Sequence, residues 1–157
     1  KAEASDIAVH GNAYASEIRV RCGGRGYIVP LSSRKRPVGN PENYFLDGGI
    51  ASDRVEIAPD SICHERVRLH GGMLLMGDKR LLIAANDSSG IAGSVDCIVL
   101  KGRYRGCLDT LLARNRPAAV IIASDMAPDR RDAYAATAAA AGIPVCDLTR
   151  QIFLLDF

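Results

Sequence analysis

The chain has 157 residues, of which 48% are hydrophobic, and a formal net charge of +2 at pH 7. This length predicts a single domain, and no apolar run reaches the roughly 18 to 20 residues that a membrane-spanning helix needs. The 20 basic and 18 acidic residues are interleaved, Trp is absent and aromatic residues make up 5%. This composition argues against a strongly basic nucleic-acid-binding protein with many stacking rings.

The first elements along the chain are predicted to be short β-strands. Residues 6–10 form one strand, and residues 16–22 alternate between apolar and charged side chains. That period of two predicts a half-solvated strand, with Glu17, Arg19 and Arg21 facing solvent. The glycines of residues 23–26 predict a hairpin turn into a partner strand at residues 27–31.

The middle of the chain is predicted to continue as antiparallel β-structure. Residues 32–39 are basic and contain Pro, which indicates a loop. A short helix follows at residues 41–46 and ends at Gly48-Gly49. Further strands are predicted at residues 54–57, 66–70, 72–76 and 80–85. Most of their connections are tight, which favours antiparallel pairing.

The second half is predicted to form a βαβαβ unit. The apolar runs at residues 95–100 and 118–123 are typical of strands buried on both faces, and residues 145–148 form a third strand. A short helix at residues 107–113 and a longer one from Pro128 to Gly142 connect them, so the strands are expected to be parallel. A last strand is expected at residues 152–157. The predicted fold class is α/β, with a β-rich antiparallel first half followed by βαβαβ.

The cysteines and histidines show no spacing that is typical of a metal site or an activated nucleophile. The five cysteines include no CxxC pair, and Cys97 and Cys146 lie in apolar runs that predict core positions. His64 and His70 are interpreted as two half-exposed side chains flanking a strand, because no HxH or HxxxH spacing occurs. No cofactor is expected.

Polar residues follow the predicted parallel strands at their carboxyl ends, where open α/β sheets bind ligands. Lys101, Arg103 and Arg105 could contact phosphates of a nucleic-acid backbone, although a solvated polar loop is the more frequent explanation of such residues. Three carboxylates share this position and could hold Mg²⁺ or Mn²⁺, with only their strand-end placement in favour. They are Asp87, Asp125 and Asp147.

Several phrases resemble the C-terminal region of ComEC-family DNA-uptake proteins. They include KRLLIAAND, VDCIVLKGRYRG, RPAAVIIASDMAPDRR and, near the start, DIAVHGNAYASEIRVRCGGRGYIVP. The resemblance implies a metallo-β-lactamase-like sandwich joined to a polytopic membrane region. It also implies that residues 1–157 are one soluble domain from the end of a longer bacterial inner-membrane protein. The expected partners are the membrane-channel portion of the same polypeptide and single-stranded DNA.

The family's metal motifs are largely missing from this sequence. Residues 32–53 contain no His where the family places HxHxDH, and residues 100–106 lack both histidines of LKxxHHGS. The later N…HP falls near residues 125–128, where only the proline remains. Asp87 is the one possible counterpart of a family ligand, with Asn86 as the alternative alignment. A hydrolytic metal centre needs about three protein ligands, so the resemblance implies a degenerate sandwich that has lost its nuclease activity.

Three functional hypotheses remain open at this stage. The first is a non-catalytic domain that assists DNA uptake by binding DNA or a partner. The second is a divergent metal-dependent phosphodiesterase that uses the strand-end carboxylates. The third is a structural module that packs against the membrane portion.

Overall fold

Two β-sheets pack face to face in this computed structural model, which describes residues 6–12, 15–32, 42–47, 49–85, 93–148 and 153–156. The first sheet has five strands in the order β12-β1-β2-β3-β4. Its strands are β1 (Asp6–Gly11), β2 (Ser16–Cys22), β3 (Arg25–Pro30), β4 (Val55–Ile57) and β12 (Phe153–Asp156). Gly23 and Gly24 have positive φ and form the predicted hairpin turn between β2 and β3.

The second sheet has seven strands in the order β11-β10-β9-β8-β7-β6-β5. Its strands are β5 (Ile62–Cys63), β6 (Val67–His70), β7 (Met73–Met76), β8 (Lys79–Ala84), β9 (Cys97–Leu100), β10 (Ala119–Ile122) and β11 (Val145–Asp147). Strands β5 to β8 form an antiparallel meander, whereas β8 to β11 run parallel. The predicted division into an antiparallel first half and a parallel second half is therefore confirmed in outline.

Three α-helices of the described residues cover the outer faces of the two sheets. They are α1 (Glu42–Asp47), α2 (Leu108–Asn115) and α3 (Pro128–Ala140). The α2 residues Leu108 and Leu111 pack with Ile98 and Leu100 on the outer face of the second sheet. On the first sheet, Phe45 of α1 packs on the side opposite the main core. The layers are helix, sheet, sheet and helix, as expected for a metallo-β-lactamase-like sandwich.

The main core lies between the sheets, and a second apolar cluster lies between the second sheet and its helices. Strands of the second half are therefore continuous apolar runs in the sequence. Alternate residues of β9 belong to different clusters: Cys97 and Val99 face the first sheet, and Ile98 and Leu100 face the helices. All four are buried. The prediction that this strand is covered on both faces is confirmed, as is the core position of Cys97 and Cys146. Burial raises the pKa of the Cys97 thiol to about 12, which keeps it protonated.

The prediction that β2 is half-solvated is wrong. Glu17 is 2% exposed and Arg19 is 5% exposed, and Arg19 Nε donates to Glu17 Oε2 at 2.7 Å. Arg21 forms an ion pair with Asp6 of β1. A strand whose charged face is buried and ion-paired has the same period of two as a strand facing water, so the sequence pattern does not separate the two cases.

Two further details of strand pairing differ from expectation. Strand β4 pairs parallel to β3, because the connection between them crosses over instead of turning back directly. The two-residue strand β5 was not predicted at all, since its pairing with β6 carries almost no periodic signal. In the described part of the chain, no helix combines the length and the apolar character needed to cross a membrane.

Candidate functional site at the strand-end edge

The parallel strands of the second sheet end at one common edge. Strand β8 ends at Ala84, β9 at Leu100 and β10 at Ile122, and the register keeps these ends level. Lys101 and its loop follow β9, and Ser124 and Asp125 follow β10. We call residues 101–106 the strand-end loop, because they occupy the position where open α/β sheets bind ligands.

The strand-end loop is held in place by hydrogen bonds to its surroundings. The backbone N–H of Lys101 donates to Ala84 O at 3.0 Å, and that of Tyr104 donates to Lys101 O at 3.0 Å. Tyr134 of α3 donates its hydroxyl to Gly106 O at 2.9 Å. The Tyr104 side chain is fully buried and packs 5.3 Å from the Tyr134 ring, centroid to centroid. The loop is therefore anchored at its beginning, middle and end.

The three predicted basic residues all lie on this anchored loop. Arg103 and Arg105 are exposed, and Lys101 is half-buried. None of the three forms an ion pair with a carboxylate in the described ranges. A loop with fixed backbone and available cations can bind an anion with little loss of backbone entropy.

Lys101 also lines a cavity of about 460 Å³ that opens beside the edge. The buried side chains of Val29, Leu69 and Ile83 form its apolar part. Its polar part is formed by Asp60, Ser61, His70 and Lys101. Such a volume is within the range of roughly 300 to 1,000 Å³ that is usual for small-ligand sites.

Two of the three strand-end carboxylates lie in the described residues, and each contacts a different neighbour. Asp87 lies outside the described residues. The carboxylate of Asp125 lies against Gly102, where a methyl group in place of the glycine hydrogen would collide with it. Partial burial raises the pKa of Asp125, and the positive charge of Arg103 opposes that change. Asp147 Oδ1 accepts from Arg131 Nη1 at 3.5 Å and is turned toward α3.

The described residues do not fit the metal centre that the sandwich fold implies. Within the described ranges, no three His, Cys, Asp or Glu side chains come close enough to hold an ion. Asp147 is paired with Arg131, and Lys101 places a cation at the same edge. A divalent cation would meet this positive charge without the ligands needed to offset it.

The strand-end position of Lys101 is visible in the sequence, whereas the cavity residues on the other strands carry no such signal. His70 was interpreted as one of two half-exposed histidines flanking a strand, and the structure does place it at the exposed end of β6. Its position at the cavity depends on the β6–β7 turn, where Gly72 O accepts from Ile83 N at 2.6 Å. Asp60 and Ser61 precede the unpredicted strand β5 and carry no motif of their own.

Comparison with known proteins agrees with this architecture. The family model described as the ComEC C-terminal domain matches residues 8–155. The solved structure of a variant of the CmlA beta-hydroxylase, a metallo-β-lactamase-like fold, superposes with a TM-score of 0.55 at 11% identity. That superposition covers 98% of this chain and 54% of the CmlA chain. This chain therefore spans about half the length of the CmlA chain. Among curated proteins, none matches by sequence.

Proposed function

Because the chain belongs to the ComEC C-terminal domain family, we propose that it assists DNA uptake by binding single-stranded DNA at the strand-end loop without catalysing its cleavage. In this proposal, which family membership supports, the chain is part of a membrane-associated competence protein. Its partners in this proposal are the incoming strand and the membrane-channel portion of the same polypeptide. Residues 1–157 act as one soluble domain of that bacterial inner-membrane protein.

The observation that carries the proposal is the placement of three available cations on one anchored loop. Lys101, Arg103 and Arg105 have no ion-pair partner among the described carboxylates. Phosphates spaced along a strand are attracted by such residues, and counterions are released when they bind. These contacts carry no sequence information, as transport of any DNA sequence requires.

Fluorescence anisotropy with a labelled single-stranded oligonucleotide tests the proposal. The triple variant Lys101→Ala, Arg103→Ala and Arg105→Ala is expected to bind at least about tenfold more weakly than the parent chain at low salt. The matched control removes three exposed arginines from the β5–β8 region, Arg66, Arg68 and Arg80, and so makes the same change in net charge. Equal losses in both variants would indicate non-specific attraction and would contradict the proposal.

The same samples test the rival hypothesis of a metal-dependent phosphodiesterase. Labelled DNA incubated with Mn²⁺, Mg²⁺ or Zn²⁺ is expected to stay intact on a denaturing gel. Cleavage that is lost in Asp125→Ala or Asp87→Ala would restore the enzyme hypothesis, with carboxylate ligands. Binding that is absent in every sample, without cleavage, would favour the third hypothesis, a module that contacts only protein.

A further inference from the structure

The cavity beside the strand-end loop has two chemically different parts. Its inner part is aliphatic and is lined by Val29, Leu69 and Ile83. Its outer part carries a carboxylate, a hydroxyl, an imidazole and an amine, which belong to Asp60, Ser61, His70 and Lys101. A ligand that matches this arrangement has apolar faces, polar edges and an attached anion.

We infer that this cavity receives one nucleobase of the bound single strand, with the adjoining phosphate on Lys101. The inference deepens the proposed function and rests on it. The faces of a base can pack against aliphatic side chains, and its exocyclic amino group can donate to Asp60. Lys101 belongs both to the cavity and to the loop, so the phosphate next to the inserted base lies at the start of the basic series.

The positions of the three basic residues favour insertion of a base from a DNA strand that is bound along the loop. Lys101 is half-buried, whereas Arg103 and Arg105 are exposed farther along the loop. A strand held by the two arginines therefore passes the mouth of the cavity at Lys101. His70 lies at the exposed end of β6 and provides a second nitrogen that can donate to the same phosphate.

A comparison of two oligonucleotides of equal length tests the inference. One is oligo-dC, and the other carries the same phosphates on abasic sugars. The parent chain is expected to bind oligo-dC about tenfold more tightly, because only the base can bury apolar surface in the cavity. Ala85→Phe, at the exposed mouth of the cavity, is expected to abolish that difference and to leave abasic binding unchanged.

Two controls keep the result independent of folding defects. Ala113→Phe adds the same ring to an exposed position of α2 and is expected to retain the difference. Ser61→Phe closes the cavity from its other side and should act like Ala85→Phe, with an unchanged thermal unfolding midpoint in both.

The outcomes separate this inference from the proposed function. Equal binding of both oligonucleotides by the parent chain would overturn the base site and leave backbone binding intact. Binding of neither would overturn both. Retention of the difference in both cavity variants would place the base elsewhere and contradict the inference. The mononucleotide dCMP binding alone as tightly as the strand would identify a free nucleotide as the ligand and also contradict it.

Discussion

Ser16 and Ser124, 108 positions apart in the chain, are joined by two hydrogen bonds in the interior. Ser16 Oγ accepts from the Ser124 backbone N–H at 2.7 Å, and the two hydroxyl oxygens lie 2.8 Å apart. Ser124 donates its own hydroxyl to Ala15 O at 2.9 Å, so the Ser16 hydroxyl is the donor between the two side chains. This contact attaches the start of β2 in the first sheet to the strand-end edge of the second.

Removing the Ser124 hydroxyl is expected to destabilise the domain. Ser124→Ala removes one of the two donors that the described residues offer the Ala15 carbonyl and leaves the buried Ser16 hydroxyl without this acceptor, and such a loss costs about 1 to 3 kcal/mol. The free energy of unfolding, measured by chemical denaturation, should fall by this amount. Ser52→Ala, an exposed position, serves as the control. A Ser124→Ala domain as stable as the parent would show that the inter-sheet contact contributes nothing.

His10 is expected to make the domain less stable in mild acid. Burial, together with the positive charge of Arg19, lowers the pKa of His10 from 6.5 to about 4. Arg19 donates to His10 Nδ1 at 3.3 Å, which leaves the neutral ring with its proton on Nε2, edge-on to the Tyr44 ring. The unfolded chain binds this proton more readily than the folded domain. The contribution of neutral His10 to the free energy of unfolding is therefore fully present above pH 6.5 and is lost as the pH falls toward 4.

Denaturation at a series of pH values measures this effect. The parent domain should lose stability between about pH 6.5 and pH 4, and His10→Gln should remove that part of the pH dependence. His70→Gln, at an exposed position, is the matched control. A parent profile that is flat over this range would contradict the half-buried, neutral state of His10.

Tyr44 is expected to protect the domain against stronger acid. Burial raises the pKa of Asp6, but hydrogen bonds from Arg21 and Tyr44 outweigh it, so the pKa of this carboxyl lies below 3.8. The resulting stabilisation is present above pH 3.8 and is lost as the pH falls through the lowered pKa. Tyr44→Phe removes one hydrogen bond to a charged group and should cost about 1.5 to 3 kcal/mol at neutral pH.

The pH at which acid unfolding begins tests the hydrogen bond from Tyr44 to Asp6. Acid unfolding of Tyr44→Phe should begin at a higher pH than that of the parent, since Arg21 is then the remaining donor to Asp6 among the described side chains. Tyr27→Phe alters a tyrosine on the opposite face of the first sheet and provides a comparison. Identical acid unfolding of Tyr44→Phe and the parent would show that the Tyr44 hydroxyl does not stabilise the Asp6 carboxylate.

Divalent metal ions are expected to leave the thermal stability unchanged. A site that binds an ion only in the folded state raises the unfolding midpoint by mass action. Millimolar Mn²⁺ or Mg²⁺ should produce no such rise, because Asp147 is paired with Arg131 and Asp125 lies against Gly102. A rise that the double variant Asp125→Asn and Asp147→Asn abolishes would restore a carboxylate metal site.

The sequence predicts the positions of helices and strands better than it predicts the burial and contacts of their side chains. Apolar runs such as residues 97–100 identify buried parallel strands because both faces of the strand need apolar side chains. The alternation in β2 does not predict which side chains face solvent, because Glu17 and Arg19 are buried and form an ion pair with each other. Lys101 was predictable from its strand-end position. His70 and Asp60 were not, because His70 reaches the cavity through the β6–β7 turn and Asp60 precedes the two-residue strand β5, which has no periodic signal.

The salt dependence of single-stranded DNA affinity is the decisive test of DNA binding at the strand-end loop. For single strands the logarithm of affinity falls by about 0.7 per neutralised phosphate for each tenfold rise in salt. We expect the triple variant Lys101→Ala, Arg103→Ala and Arg105→Ala to show a slope shallower than that of the parent by ~2, the value for three lost phosphate contacts. A parent affinity that does not change with salt, or a slope identical in the two proteins, would contradict DNA binding at this loop.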